Sequence, residues 1–133
     1  MSNINELVSL YTEDPRVRKI AAPLYHEPPV SVLLNGCTGA VDSFILAGLY
    51  LSDKKSQIYI ASDKEDAAYI QNTLQSIFEK KTIHFFPDSF KRPLLFEELD
   101  KNNVLLRTEI SHKIQLNKGE KTILVTYPEA IFE

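Results

Sequence analysis

The chain has 133 residues, 44% of them apolar and 25% charged, and at about 150 residues per domain its length suits one ordinary globular domain. Fifteen basic against eighteen acidic residues leave a net charge of −3, which argues against a general electrostatic grip on nucleic acid or on an anionic membrane. The single cysteine, Cys37, excludes an internal disulfide framework, and the longest apolar run, Phe44 to Leu51, falls far short of the ~20 residues of a membrane span.

No basic stretch followed by an apolar one opens the chain, so no signal peptide is read at Met1 to Leu7, and a cytoplasmic globular protein is expected. Asn3 is placed to cap a first helix, with Glu6 at the reciprocal position and Ile4, Leu7, Val8 and Tyr11 on one face. Asp14-Pro15 restarts the pattern, Asp14 as cap and Pro15 at the first helical position, with Val17 and Ile20 pointing inward. Pro23, Pro28 and Pro29 close this helical arm, residues 1–29, which is expected to pack on a main body of residues 30–133.

Val30 to Leu34 reads as a short apolar strand that runs into the turn Asn35-Gly36-Cys37-Thr38-Gly39. Ser43 to Leu51 is apolar on nearly every side, as a helix enclosed by its neighbours would be. Gln57 to Ala61 reads as a second strand, and Ser62 with Glu65 as the capping box of a helix that buries Ala67, Ile70, Leu74, Ile77 and Phe78. Thr82 to Phe86 is a third strand, stopped by Pro87-Asp88. Leu94 to Leu116 is expected as one long helix with Leu99, Leu106, Ile110 and Ile114 on a stripe and Gly119 near its end. Thr122 to Thr126 is a fourth strand, and Pro128 opens a new helix one turn before Glu133. Strands that alternate with helices predict an α/β fold with a parallel sheet covered on both faces. Because so short a terminal helix is marginal by itself, the chain is expected to be a piece of a longer polypeptide.

The stretch that bears on chemistry is the first strand-to-helix turn. A phosphate loop has Gly, four residues, Gly, Lys, then Ser or Thr. Gly36 and Ser43 match its two ends, but Val41 stands for the second glycine and Asp42 for the lysine. Valine is an outlier in the positive-φ backbone that cradles phosphates, and Asp42 places a negative charge where a triphosphate needs a positive one. At ~4 Å two like charges repel by roughly 1 kcal/mol in water and by several times that at a shielded site. No strand ends in paired acidic residues for magnesium; Leu124-Val125 runs into Thr126-Tyr127. Asp42 in a first helical turn is favoured by the backbone dipole, so the stretch reads as a degenerate phosphate loop kept as a structural turn.

The chain resembles the N-terminal domain of the bacterial transcription-repair coupling factor family. Five stretches carry the resemblance, in the family's order and spacing: Leu33 to Gly36 with Thr38-Gly39, Ile60 to Ala68, Phe85 to Pro93, Asn103 to Glu109, and Val125 to Ala130. The resemblance implies a P-loop NTPase or helicase-like domain similar to the first domain of the nucleotide-excision-repair B subunit, where an intact ATP-binding loop occupies the place of Gly36 to Ser43. It further implies that ATP and magnesium are bound by a separate motor module, and that partners include the remaining domains of the polypeptide. The repair A subunit (docking on an inserted domain after Glu133), RNA polymerase and DNA would be met through other domains. The charged Asp88 to Arg92 loop leaves little room for the B subunit's DNA-clamping hairpin.

Among other residues, His26, His84 and His112 lack the spacing of metal ligands, so no metal is expected, and His84 reads as a hydrogen-bonded, partly buried strand residue. Cys37 sits in a turn where a thiol can be activated, but no base neighbours it in sequence. Glu97-Glu98 with Asp100 suit a helix start, and Lys54-Lys55, Lys80-Lys81 and Lys91-Arg92 read as solvated basic pairs. Two functions remain open: a non-catalytic scaffold and interaction domain of the coupling factor, with neither cofactor nor enzymatic activity of its own, or a working nucleotide-binding domain with Gly36, Thr38, Gly39 and Ser43 around the phosphates.

Overall fold

The computed structural model describes residues 3–24, 30–52, 55–91, 99–116 and 120–133. The chain divides into two compact units, Met1–Lys55 and Ser56–Glu133. The residues His26, Pro28, Pro29, Lys54, Arg92, Pro93, Glu97, Glu98 and Gly119, and the stretch Leu94 to Glu98 of the expected long helix, lie outside the described residues.

The described part of the first unit is helical. Helix α1 (Ile4–Glu13) starts at Asn3, whose side chain accepts the Asn5 amide, and helix α2 (Pro15–Leu24) starts at Pro15 as its sequence demands. Pro23 does not stop α2; it sits in the last turn, which ends at Leu24. Helix α3 (Val41–Ser52) packs against both, burying Ala47, Gly48 and Tyr50, while Tyr11 of α1 stacks on Phe44 with ring centroids 5.3 Å apart. A side-chain carbon on Gly48 would lie 3.3 Å from the backbone carbon of Tyr11 and 3.4 Å from the Thr12 nitrogen. The missing side chain is what lets the two helices come this close.

The expected strand at Val30 to Leu34 is absent. These residues belong to no helix or strand, and Val30, Val32, Leu33 and Leu34 are exposed, Leu33 by 83%. Apolar character makes a segment fit for a sheet, but a strand exists only where a ladder partner takes its N–H and C=O groups, and no other strand occurs among the described residues of this unit.

The second unit is α/β. Strands β1 (Gln57–Ile60), β2 (Ile83–Phe85) and β3 (Ile123–Thr126) form a parallel sheet in the order β1-β3-β2, with Tyr59, Val125 and Phe85 in register across it. Helix α4 (Lys64–Ile77) connects β1 to a 3-10 turn at Lys80–Thr82, helix α5 (Lys101–Leu116) precedes β3, and the single-turn helix α6 (Pro128–Ile131) follows it. Among the described residues the sheet therefore has three strands and not the four expected.

Ala67, Ile70 and Leu74 of α4 are buried, and the helix packs on β2 and β3, whose Ile83, Ile123 and Val125 are buried too. His84 and Leu124 point to the other face, beside α5. Helical cover on that face stops short of β1, where Ile58 and Ile60 are 66% and 58% exposed. The start of α4 differs by one residue from the expected capping box. Asp63 is the cap and accepts the Asp66 amide at 2.8 Å, while Asp66 reaches back to the amide and hydroxyl of Ser62. A carboxylate accepts more strongly than a hydroxyl and also gains from the dipole, so Asp63 takes the cap from Ser62. Helix α5 begins only at Lys101, where the Asp100 carboxylate accepts the amides of Asn102 and Asn103 at 3.0 and 3.3 Å. Leu99 precedes it, held in an isolated antiparallel bridge to Phe90. Of the expected stripe only Ile110 is buried; Leu99 and Ile114 are more than half exposed.

The α1–α3 contact yields a direct test. Gly48→Val would push two methyl groups into the backbone of α1, and a loss of ~1–3 kcal/mol is expected from such overpacking, read as a lowered midpoint in urea denaturation.

Candidate functional site

Two regions bear on function, one in each unit. In the first, the turn ahead of α3 keeps the backbone of a glycine loop. Gly36 has φ +79° and Gly39 has φ +60°, left-handed conformations that side chains rarely adopt, and each faces open space. Thr38 accepts the Val41 amide at 3.4 Å, so Val41 is already the first residue of α3. A helix start of this kind presents amides to an anion. Here an anion is built in. Asp42 Oδ1 accepts the Ser43 amide at 2.7 Å, and the Ser43 side chain is fully buried. The structure thus brings Gly36, Thr38, Gly39, Val41, Asp42 and Ser43 together in one turn, with the carboxylate on an amide and the hydroxyl withdrawn from solvent.

Asn35, Gly36 and Cys37 line one side of a cavity of about 530 Å³ whose other wall comes from Tyr11, Val17 and Ile45. Cys37 itself is exposed. Asp14 and Arg16 sit at the same cavity, joined by two side-chain hydrogen bonds of 3.1 and 2.8 Å, and Asp14 also accepts the Arg16 amide. The Arg16 guanidinium and amide hold the Asp14 carboxyl down at about 2.

In the second unit the carboxyl ends of the strands, where ligands of open α/β sheets settle, are occupied by the protein's own side chains. Asp88, after β2, is 1% exposed, yet it is a carboxylate. Its amide donates to the Tyr127 hydroxyl at 2.9 Å, that hydroxyl donates to Asp88 Oδ1, and Lys64 Nζ approaches the same oxygen at 3.3 Å. Oδ2 is buried and has no hydrogen-bond partner among the described residues. Burial, and after it the Asp88 carboxylate, push the Tyr127 phenol well above its ordinary value. Thr126 Oγ1 donates to the Phe86 carbonyl at 3.0 Å, closing β3 on β2.

Arg107 of α5 ties this edge together. Its Nη1 donates to the carbonyls of Pro87 at 2.7 Å and Ala130 at 2.9 Å, and meets Glu133 Oε2 at 3.2 Å. Its guanidinium lies 4.2 Å over the Phe86 ring. Glu133 Oε1 accepts the Ser89 amide at 2.7 Å. Sequence reasoning passed over this cluster because its members stand 20 to 40 positions apart with no local period; Lys64, Asp88, Arg107 and Tyr127 nonetheless each fall within one of the stretches that carry the family resemblance.

His84 is half-buried, without a hydrogen-bond partner among the described residues; burial and, less so, Lys113 depress its basicity. No three His, Cys, Asp or Glu side chains gather as a metal site among the described residues, and no described helix is long and apolar enough to cross a membrane. Compared with known proteins, the chain matches no family model, no curated protein and no solved structure.

Removing the phenolic hydroxyl tests the edge cluster. Tyr127→Phe leaves the Asp88 amide and Oδ1 short of a partner in a buried place, and a loss of ~1–3 kcal/mol is expected in chemical denaturation. The Asp14 carboxyl supplies a pH test. Its folded pKa is depressed, so its favourable contribution is complete above the unfolded value of 3.8 and fades as the pH falls towards about 2. An NMR titration should place the Asp14 midpoint near 2, and Arg16→Ala, which removes the guanidinium but keeps the amide bond at position 16, should raise it part of the way towards 3.8.

Proposed function

We propose that this chain is a non-catalytic scaffold and interaction domain of a bacterial transcription-repair coupling factor, the ATP-dependent DNA translocase that displaces stalled RNA polymerase and recruits nucleotide excision repair. The domain would be P-loop NTPase or helicase-like with a degenerate phosphate loop, would work in the cytoplasm, and would leave ATP and magnesium to a separate motor module. Its partners would be the remaining domains of the same polypeptide; the repair A subunit, RNA polymerase and DNA would be engaged elsewhere.

The observation that carries the proposal is Asp42 Oδ1 on the Ser43 amide at 2.7 Å. A phosphate entering this turn would have to displace an internal carboxylate from the helix start and then remain beside its charge, with no lysine to offset it. Further support comes from the edge cluster. Lys64, Asp88 and Tyr127, from three separate stretches of the resemblance, meet at one carboxylate oxygen, and Arg107, from a fourth, bonds the carbonyl of Pro87 next to Asp88, which gives these stretches a shared structural purpose.

Titration calorimetry with magnesium-ATP separates the scaffold from a working nucleotide-binding domain. The chain as it stands should show no saturable heat below about 1 mM, corresponding to roughly −4 kcal/mol. Any nucleotide affinity should appear only in the Val41→Gly/Asp42→Lys double variant. Equal binding by both proteins would reject the proposal.

A further inference from the structure

A further depression lies in the second unit and is larger than the cavity beside Gly36. It has a volume of about 650 Å³ and runs beside β2, between α5 and the segments 80–82 and 120–122. Its floor is apolar: Phe85, Leu106 and Ile110 line it. Its rim is cationic, with Lys80, Lys81, Lys113 and Lys121 against Glu120 as the acidic residue among the described ones that line it. With Glu79 and Glu109, the partners of Lys81 and Lys113, counted beside Glu120, the four lysines exceed the carboxylates by one in a chain whose net charge is −3. A second hollow of about 130 Å³ shares His84, Lys113, Glu120 and Thr122 with it and extends it towards Ile58 and Leu124.

The lysines are placed to exchange partners. Lys81 meets Glu79 at 2.9 Å and Lys113 meets Glu109 at 2.6 Å, but these side chains are 82%, 72%, 48% and 59% exposed. Ion pairs so exposed contribute little and yield readily to a competing carboxylate. Lys80 makes no ion pair among the described residues. The apolar floor disfavours a bare phosphate backbone, which offers charge but nothing to bury, and favours a ligand that carries both.

We infer that this groove is a docking site for an acidic peptide segment of a partner protein, which seats apolar side chains on the half-buried Phe85 and Leu106 and sets carboxylates against Lys80, Lys81, Lys113 and Lys121. His84, at the junction of the two hollows, reports on occupancy. The inference goes beyond the proposed function and does not depend on it, since nucleotide affinity and peptide affinity are read in separate experiments.

The probe is a fluorescein-labelled Glu-Leu-Glu-Glu-Leu-Glu peptide, followed by anisotropy, with the His84 imidazole resonances observed on unlabelled peptide. Saturable binding that moves His84 and weakens about tenfold in Lys80→Glu/Lys113→Glu is expected, together with weakening as salt rises through the range where the Debye length falls from about 10 to 3 Å. Circular dichroism shows whether the double variant stays folded, and the His84 shifts require no variant at all. Absence of saturable binding at millimolar peptide would overturn the inference, as would binding that leaves His84 unmoved or ignores the charge reversal in a folded variant. Equal affinity for Glu-Ala-Glu-Glu-Ala-Glu would remove the apolar floor from it, and tighter binding of a single-stranded oligonucleotide of equal charge would transfer the site to nucleic acid and reject the peptide.

Discussion

A carboxylate buried at the ends of β2 and β3 sets the terms for the second unit. Asp88 is 1% exposed, and a lone ion in such a place would be costly; it is tolerated because the Tyr127 hydroxyl and the Lys64 ammonium both face its Oδ1. The same contacts join elements that parallel topology otherwise leaves to long connections. β2 and β3 can be linked only through α5, so their relative register depends on ties at the ends as well as on the ladder between them. Thr126 Oγ1 on the Phe86 carbonyl and the tilted ring contact of Phe85 with Tyr127, centroids 6.1 Å apart, reinforce the same seam.

Arg107 extends the seam to the last turn of the chain. Its Nη1 meets two carbonyls and a carboxylate while the planar, delocalised guanidinium lies over an aromatic ring, a stacking that a lysine ammonium cannot make. The region where an α/β sheet ordinarily takes a ligand is thereby filled with internal hydrogen bonds. None of the three depressions described above is lined by Asp88 or Tyr127.

The first unit treats its helix start in the same chemical manner. Asp42 Oδ1 accepts the Ser43 amide at the start of α3, and the two positive-φ glycines shape the turn before it. Both places of potential chemistry hold carboxylates of the protein itself. What the molecule leaves to the outside is surface: the exposed Val30, Val32, Leu33 and Leu34, the exposed Ile58 and Ile60, and the lysine-rimmed groove beside β2. Such a distribution suits a domain that works through contacts, which is the sense of the scaffold proposal.

Local chemistry was legible in the sequence wherever the determining groups lie within a few residues of each other. The start of α2 at Asp14-Pro15, the buried face of α4 at Ala67, Ile70 and Leu74, the three strands after Ser56 and the anomalous Val41 and Asp42 all belong to this kind. Where the outcome depends on a partner from elsewhere in the chain, sequence pattern was silent or misleading. Val30 to Leu34 has strand composition but no ladder to join; Leu99 and Ile114 fit a helical stripe that nothing covers. The strand order β1-β3-β2, the burial of Asp88 against Tyr127 and the reach of Arg107 to Pro87 and Ala130 were decided by tertiary structure alone. Periodicity records which face of an element is apolar, whereas a buried hydrogen bond between residues some 40 positions apart exists only once packing has brought donor and acceptor within about 3 Å.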